Sequence, residues 1–166
     1  MKTRTFAAAV IMGLSFASPA WAEDVEGVVK VVGSSLSRKV MINASDDAKH
    51  RLCDNEVAKR VSRLTGMTVR VSGDWKMRKE EKFCITGTDF AVKKVSSGRD
   101  ALVGVLSQTS DGYEVKSEDG KAHVFTQVPD GLKKLVGKKV IIDMKPMNSP
   151  TSQGATYSVV TYSPFP

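Results

Sequence analysis

A tryptophan among basic residues is the pattern in this chain that most resembles a ligand-binding site. An indole ring offers a flat apolar surface for stacking, and lysine and arginine side chains neutralise anionic groups. The candidate ligand-binding residues are Trp75, Lys76, Arg78 and Lys79 in one predicted loop, and Arg38 and Lys39 in another. The alternative is a charged hairpin whose Trp75 packs against its own domain. The nearby Glu80 and Glu81 favour this alternative, because they dilute the positive charge.

The first 22 residues have the pattern of a secretory signal peptide. Lys2 and Arg4 precede an apolar segment over residues 6–16, and the segment 18–22 ends in a small-x-small cleavage site. The apolar segment is shorter than the ~20 residues that a membrane-spanning helix needs. We therefore expect cleavage after Ala22, no transmembrane span in the mature chain, and a periplasmic location. The net charge of +7 falls when Lys2 and Arg4 are removed, so composition alone favours anionic partners only weakly.

The two cysteines, Cys53 and Cys84, are expected to form one disulfide, because an exported chain meets an oxidising compartment. A loop of this length should stabilise the fold by about 3 to 4 kcal/mol in the chain-entropy model. A metal or redox site using His50 and Cys53 is the alternative. Those two residues supply fewer than the four ligands of a closed site.

No catalytic pattern accompanies these residues. The sequence contains no nucleophile elbow, zincin helix or Walker loop. The scattered methionines and the isolated His50 and His123 are explained by packing and by surface positions. We expect a protein that is not an enzyme and that uses no cofactor or metal.

One local pattern, a short helix ended by glycine and followed by a strand, occurs twice at an offset of 71 residues. The copies span residues 61–71 and 132–142, and each is preceded by short β-like segments. In the first copy Asp54 or Asn55 can cap the helix, and in the second Pro129 suits the first turn. We expect two domains of one architecture, residues 23–98 and 99–166, in which Gly66 corresponds to Gly137.

The expected order in each half is three strands, a helix and two strands, which makes the chain mainly β. With Gly104, Asp119-Gly120, Gly137 and Val140, the second copy resembles the exported OB-fold proteins of Gram-negative periplasms. The resemblance implies two tandem five-stranded OB-like barrels, each with a short helix between strands 3 and 4. It also implies that strands 3 and 5 are neighbours, which would bring Cys53 and Cys84 together.

An OB-fold binds ligands on its second and third strands and in two flanking loops, where the six candidate residues lie. The favoured interpretation is a non-enzymatic periplasmic binding module for an envelope protein, a glycan or another anionic ligand, with envelope stress as one setting. The alternative is a structural component of an envelope assembly that docks through sheet edges or through the tail 163–166. Nucleic acid is not expected as the main partner, because the chain is predicted to be exported.

Overall fold

The fold was analysed in a computed structural model. The structure describes residues 22–34, 37–78, 81–147 and 157–166, with the backbone alone for 22–23, 75–78 and 81–83. The predicted signal peptide up to Trp21 lies outside the described residues, as does Lys79. Among the described residues, no helix has the length and apolar character needed to cross a membrane.

The protein is mainly β, as predicted, and its strands form two five-stranded antiparallel sheets. The first sheet contains β1 (Ala22–Val32), β2 (Lys39–Asn43), β3 (Lys49–Arg51), β4 (Thr68–Arg78) and β5 (Glu81–Lys94). The second contains β6 (Leu102–Thr109), β7 (Gly112–Ser117), β8 (Ala122–Phe125), β9 (Lys139–Pro146) and β10 (Tyr157–Pro164). The strand orders, β3-β2-β1-β4-β5 and β10-β9-β6-β7-β8, are the same connectivity written from opposite edges.

The predicted closure of each sheet into a barrel is wrong, because no ladder joins the edge strands among the described residues. In the first sheet the edges meet at one parallel bridge, between Leu52 and Ile85, where the Cys53 amide donates to the Ile85 carbonyl at 2.8 Å. The predicted Cys53–Cys84 disulfide is confirmed immediately beside this bridge. The strand β3 has only three residues, which is too short to support a continuous ladder with β5.

Each sheet has a short helix between its third and fourth strands, as predicted. The helix α1 (Glu56–Val61) begins at Asn55, whose side chain accepts a hydrogen bond from the Ala58 amide at 2.8 Å. It continues as a 3-10 turn through Leu64. The helix α2 (Asp130–Lys133) is a single turn, and Pro129 stands just before it at the N-cap rather than in its first turn.

Each helix is followed by a glycine in the same conformation, but only Gly66 lies close to the helical end. Gly66 comes two residues after the 3-10 turn, whereas Gly137 comes four residues after α2, so the prediction that Gly137 ends its helix directly is wrong. Gly66 and Gly137 have φ angles of +86° and +80°, in the left-handed region that favours glycine. Their amides donate to the carbonyls of Val29 and Leu106, at 2.9 and 2.8 Å. Val29 and Leu106 are both fully buried in the first strand of their sheets. The correspondence of Gly66 with Gly137 thus extends to their hydrogen bonds.

A second pair of glycines allows close approach between strands. A Cβ atom at Gly27 would clash with the Asn43 carbonyl, and one at Gly104 would clash with the Lys116 carbonyl. At Gly27 the strand β1 stays in register while it changes partner from β4 to β2.

Each sheet covers its own hydrophobic core. The first core includes Val29, Ile42, Val61, Leu64, Val69, Val71 and Ile85. The second includes Leu106, Val115, Phe125, Leu132, Val140 and Ile142. Ile141, from the second sheet, packs in the first core, and Phe165 packs against it. The two halves of the chain are therefore in direct contact.

Candidate functional site

A groove opens between the ends of β1, β2 and β3 and the helix α1. Its volume is about 550 Å³, within the range usual for ligand sites. The lining residues are Val31, Gly33, Arg38, Lys39, Val40, Arg51, Leu52, Asp54, Ala58, Lys59, Ser62 and Thr65. We call this the cationic groove, because four of these residues are lysines or arginines and one is a carboxylate.

Strand pairing builds the floor of the cationic groove. The Leu52 amide donates to the Val40 carbonyl at 2.9 Å, which extends the β2–β3 contact to the edge of the groove. The side chains of Val40, Leu52 and Ala58 are at most 9% exposed. The floor is therefore aliphatic and fixed by the core.

The helix wall is held against β5. The Asn55 side chain donates to the Gly87 carbonyl at 2.7 Å. A Cβ atom at Gly87 would come within 2.8 Å of the Val57 side chain, so only glycine allows α1 to lie this close to the sheet. This contact places Lys59 and Ser62 along the groove.

The positive charges line the groove from three elements. Arg38 immediately precedes β2 and Lys39 begins it, Arg51 ends β3, and Lys59 lies on α1. Within the described part of the chain, neither Arg38 nor Lys39 forms an ion pair, and both are exposed. Asp54 is the one acidic lining residue. A bound anion would thus meet an excess of positive charge.

Lys59 already has a carboxylate partner. Its ammonium lies 2.7 Å from the Glu56 carboxylate, and both side chains are largely exposed. The hydrogen bond and charge of Glu56 raise the pKa of Lys59, and Lys59 lowers the pKa of Glu56. Because this pair is in contact with solvent, it contributes little to stability.

The six predicted binding residues are divided by the structure. Arg38 and Lys39 line the cationic groove. The prediction that Trp75, Lys76 and Arg78 lie in a loop is wrong: they belong to β4, because pairing with β5 continues past them, with Trp75 opposite Ile85 and Arg78 opposite Glu81. The side chains of these three residues, and all of Lys79, lie outside the described residues.

The strand register separates the two predicted loops. Val32 pairs with Lys39 at one end of β1, whereas Ala22 pairs with Asp74 at the other. The β1–β2 loop and the β4–β5 hairpin therefore lie beyond opposite ends of β1. A single site containing both loops stays a prediction that the register does not support.

Sequence reasoning missed Arg51 and Lys59 as groove residues. Lys59 lies beside Arg60 and Arg63 in the sequence, and a basic helical segment of this kind is typical of a solvated surface. The expected strand order places the third strand beside the second. Arg51, in the third strand, could therefore have been grouped with Arg38 and Lys39 at the start of the second.

A second depression, of about 720 Å³, lies between the two sheets. Its charged lining residues are Glu26, Arg70, Lys93, Lys94, Asp100, Glu118, Asp119 and Lys121. Arg70 is paired with Glu26, and Lys121 with Asp119. Its charges are balanced, so it lacks the excess that distinguishes the cationic groove.

The metal alternative for Cys53 is excluded, since its sulfur is bonded to Cys84. The described residues contain no cluster of three or more histidine, cysteine, aspartate or glutamate residues that could hold a metal ion. No protein-family model matches the chain, and no curated protein matches its sequence. The similarity to exported OB-fold proteins therefore remains a resemblance in the order of elements.

Proposed function

We propose that this protein is a non-enzymatic periplasmic binding module that holds an anionic ligand, protein or glycan, in the cationic groove. The observation that carries the proposal is the concentration of Arg38, Lys39, Arg51 and Lys59 around an aliphatic floor. Two carboxylates oppose these four cations: Asp54 in the lining and Glu56, the partner of Lys59. Such sites attract anions by long-range charge and hold them by direct hydrogen bonds.

Export is part of the proposal. The residues up to Ala22 have the composition of a signal peptide. The disulfide between Cys53 and Cys84 is of the kind that persists in oxidising compartments. The mature protein is expected to begin at Glu23, and the intact mass of protein isolated from the periplasm without reductant measures both features.

The alternative function, docking to an envelope assembly through the tail 163–166, has less support. Phe165 is packed against the first core of its own chain, and its amide donates to the Lys139 carbonyl at 2.9 Å. The tail would have to lose these contacts with its own chain before it could bind a partner.

A capture experiment tests the proposed function. The mature protein is immobilised and exposed to periplasmic extract, beside an Arg38→Glu/Lys39→Glu variant. The control is Lys134→Glu/Lys138→Glu, which changes the net charge equally at two exposed lysines of the second half. We expect the groove variant alone to lose the captured ligand, and capture to weaken in high salt. Equal capture by all three proteins would overturn the proposal.

A further inference from the structure

We propose that the ligand of the cationic groove is an extended acidic peptide segment whose carboxylates alternate with aliphatic side chains. This inference rests on the proposed function, since it names the class of anion that the groove binds. Three properties of the groove carry it: the chemistry of the floor, the distribution of the charges and the carboxylate already present at the rim.

The floor of the groove suits aliphatic side chains rather than sugar rings. It is formed by Val31, Val40, Leu52 and Ala58, and no aromatic side chain lines the groove among the described residues. Sugars commonly expose flat C–H faces that pack against aromatic rings, which present a large flat apolar surface. A branched aliphatic side chain buries apolar area against such a floor at about 25 cal/mol per Å².

The charges of the groove suit several separated carboxylates. The cations come from three separate segments: Arg38 and Lys39 at the entry to β2, Arg51 at the end of β3, and Lys59 on α1. A ligand with several carboxylates can contact more than one of these segments at once. A chain with carboxylates at alternate residues presents its acidic groups along one side and its aliphatic groups along the other.

The rim already shows the contact that such a peptide would repeat. Glu56 holds Lys59 at 2.7 Å through a flexible, exposed side chain. Because exposed pairs of this kind are weak, a peptide glutamate can exchange with Glu56 at little cost. Arg38 and Lys39, which have no ion pair among the described residues, are the other expected anchors.

Fluorescence anisotropy with defined probes tests this inference. The probe is a fluorescein-labelled peptide of alternating glutamate and valine, and the mature disulfide-bonded protein is titrated into it. The comparison ligands are a glutamate–serine peptide of equal charge, an oligogalacturonate and inorganic phosphate. We expect the glutamate–valine peptide to bind at least tenfold more tightly than each comparison ligand, and its affinity to fall with salt.

The same pair of variants identifies the site. Arg38→Glu/Lys39→Glu should weaken the glutamate–valine peptide at least tenfold, whereas Lys134→Glu/Lys138→Glu should leave its affinity within about twofold. Thermal melts of both variants serve as the folding control. Because the substituted positions are exposed, we expect both variants to fold.

Each other outcome overturns a distinct statement. Tighter binding of oligogalacturonate, lost in the groove variant, overturns the peptide and leaves the groove as an anion site. Equal binding of the glutamate–serine peptide overturns the role of the aliphatic floor. If none of the probes binds, the peptide inference is wrong, and the proposed function is judged separately by capture of the native ligand.

Discussion

At the scale of single residues, Asp143 is the buried carboxylate that ties the connection between the sheets to β9. Its side chain is 1% exposed. It accepts hydrogen bonds from the Arg99 guanidinium at 2.6 and 2.7 Å and from the Ser97 hydroxyl at 2.9 Å. The hydrogen bond from Arg99 is the main cause that lowers the pKa of Asp143, against the opposing effect of burial.

We predict that Asp143→Asn lowers the free energy of unfolding at neutral pH by about 2 kcal/mol, because it removes charge-assisted hydrogen bonds to a buried group. A lowered pKa in the folded state means that this contribution is complete above about pH 3.9, the ordinary value for aspartate, and is lost as the pH falls below it. Urea unfolding of both proteins between pH 3 and 7 measures the difference.

The matched control is Asp130→Asn, which removes an exposed partner of Lys133. It should change stability little at any pH in this interval. A difference between Asp143→Asn and the parent protein that did not shrink on acidification would contradict the prediction.

At the scale of elements, the edge strands of the two open sheets contact each other through different groups. In the first, the Cys53–Cys84 disulfide joins the end of β3 to β5. In the second, the ring of Tyr157 on β10 contacts those of His123 and Phe125 on β8, with centroid separations of 5.6 and 6.4 Å. Cys53 lies between Leu52 and Asp54, which both line the cationic groove, so the disulfide also supports one wall of the groove.

We predict that Cys53→Ser/Cys84→Ser lowers the free energy of unfolding by about 3 to 4 kcal/mol, by releasing a loop in the unfolded chain. Peptide affinity at the groove should fall with it, since the β3 wall loses its link to β5. Denaturant unfolding and the anisotropy titration measure the two effects.

Both cysteines of the disulfide are buried, with 6% and 1% of their surface exposed, so native protein should resist alkylation after treatment with a mild reductant. Rapid alkylation of the native protein would contradict this view of the disulfide.

Gly104 provides a second prediction at this scale. Replacement by alanine would push a methyl group into the Lys116 carbonyl on β7. We expect Gly104→Ala to lower the melting temperature by several degrees, measured by circular dichroism. The control is Gly120→Ala. Its Cβ would meet no atom within 4 Å, so the substitution causes only the backbone strain of a φ of +84° and no steric clash. If the Gly104 variant proved no less stable than this control, the close approach would not matter to the fold.

At the scale of the whole molecule, Phe165 joins the end of the chain to the first sheet. Its ring is stacked on Phe90 with a centroid separation of 5.4 Å, and the Lys139 ammonium lies 4.1 Å from its centroid. The Arg60 side chain lies 4.9 Å from the Phe90 ring and donates to the Pro166 carbonyl at 3.0 Å. This contact connects the second half of the chain to the helix α1, which lines the groove.

We predict that Phe165→Ala lowers the free energy of unfolding by about 1 to 2 kcal/mol, through lost apolar burial and ring stacking. It should also reduce the cooperativity between the two halves, which calorimetry measures as a broader transition. Phe165→Leu, which keeps most of the apolar area, should be intermediate. A sharp transition and an unchanged melting temperature in Phe165→Ala would show that the halves do not stabilise each other.

The sequence by itself determined the local elements and their order. The short helices, the Asp119-Gly120 turn and most strands depend on neighbours along the chain, and the structure has them close to where they were expected. The segment around Trp75 is an exception, because residues predicted as a loop extend β4 to Arg78. The disulfide also followed from the sequence, since the chain has two cysteines and is predicted to be exported, which leaves one pairing.

Only the tertiary structure decided how these elements meet. The open sheet edges depend on the lengths of β3 and β8, which sequence patterns define poorly at their ends. The grouping of Arg38 and Lys39 with Arg51 and Lys59, and their separation from the Trp75 hairpin, follow from the register of β1 with both its neighbours. Register and packing are set by contacts between residues distant in sequence, and local patterns do not specify those contacts.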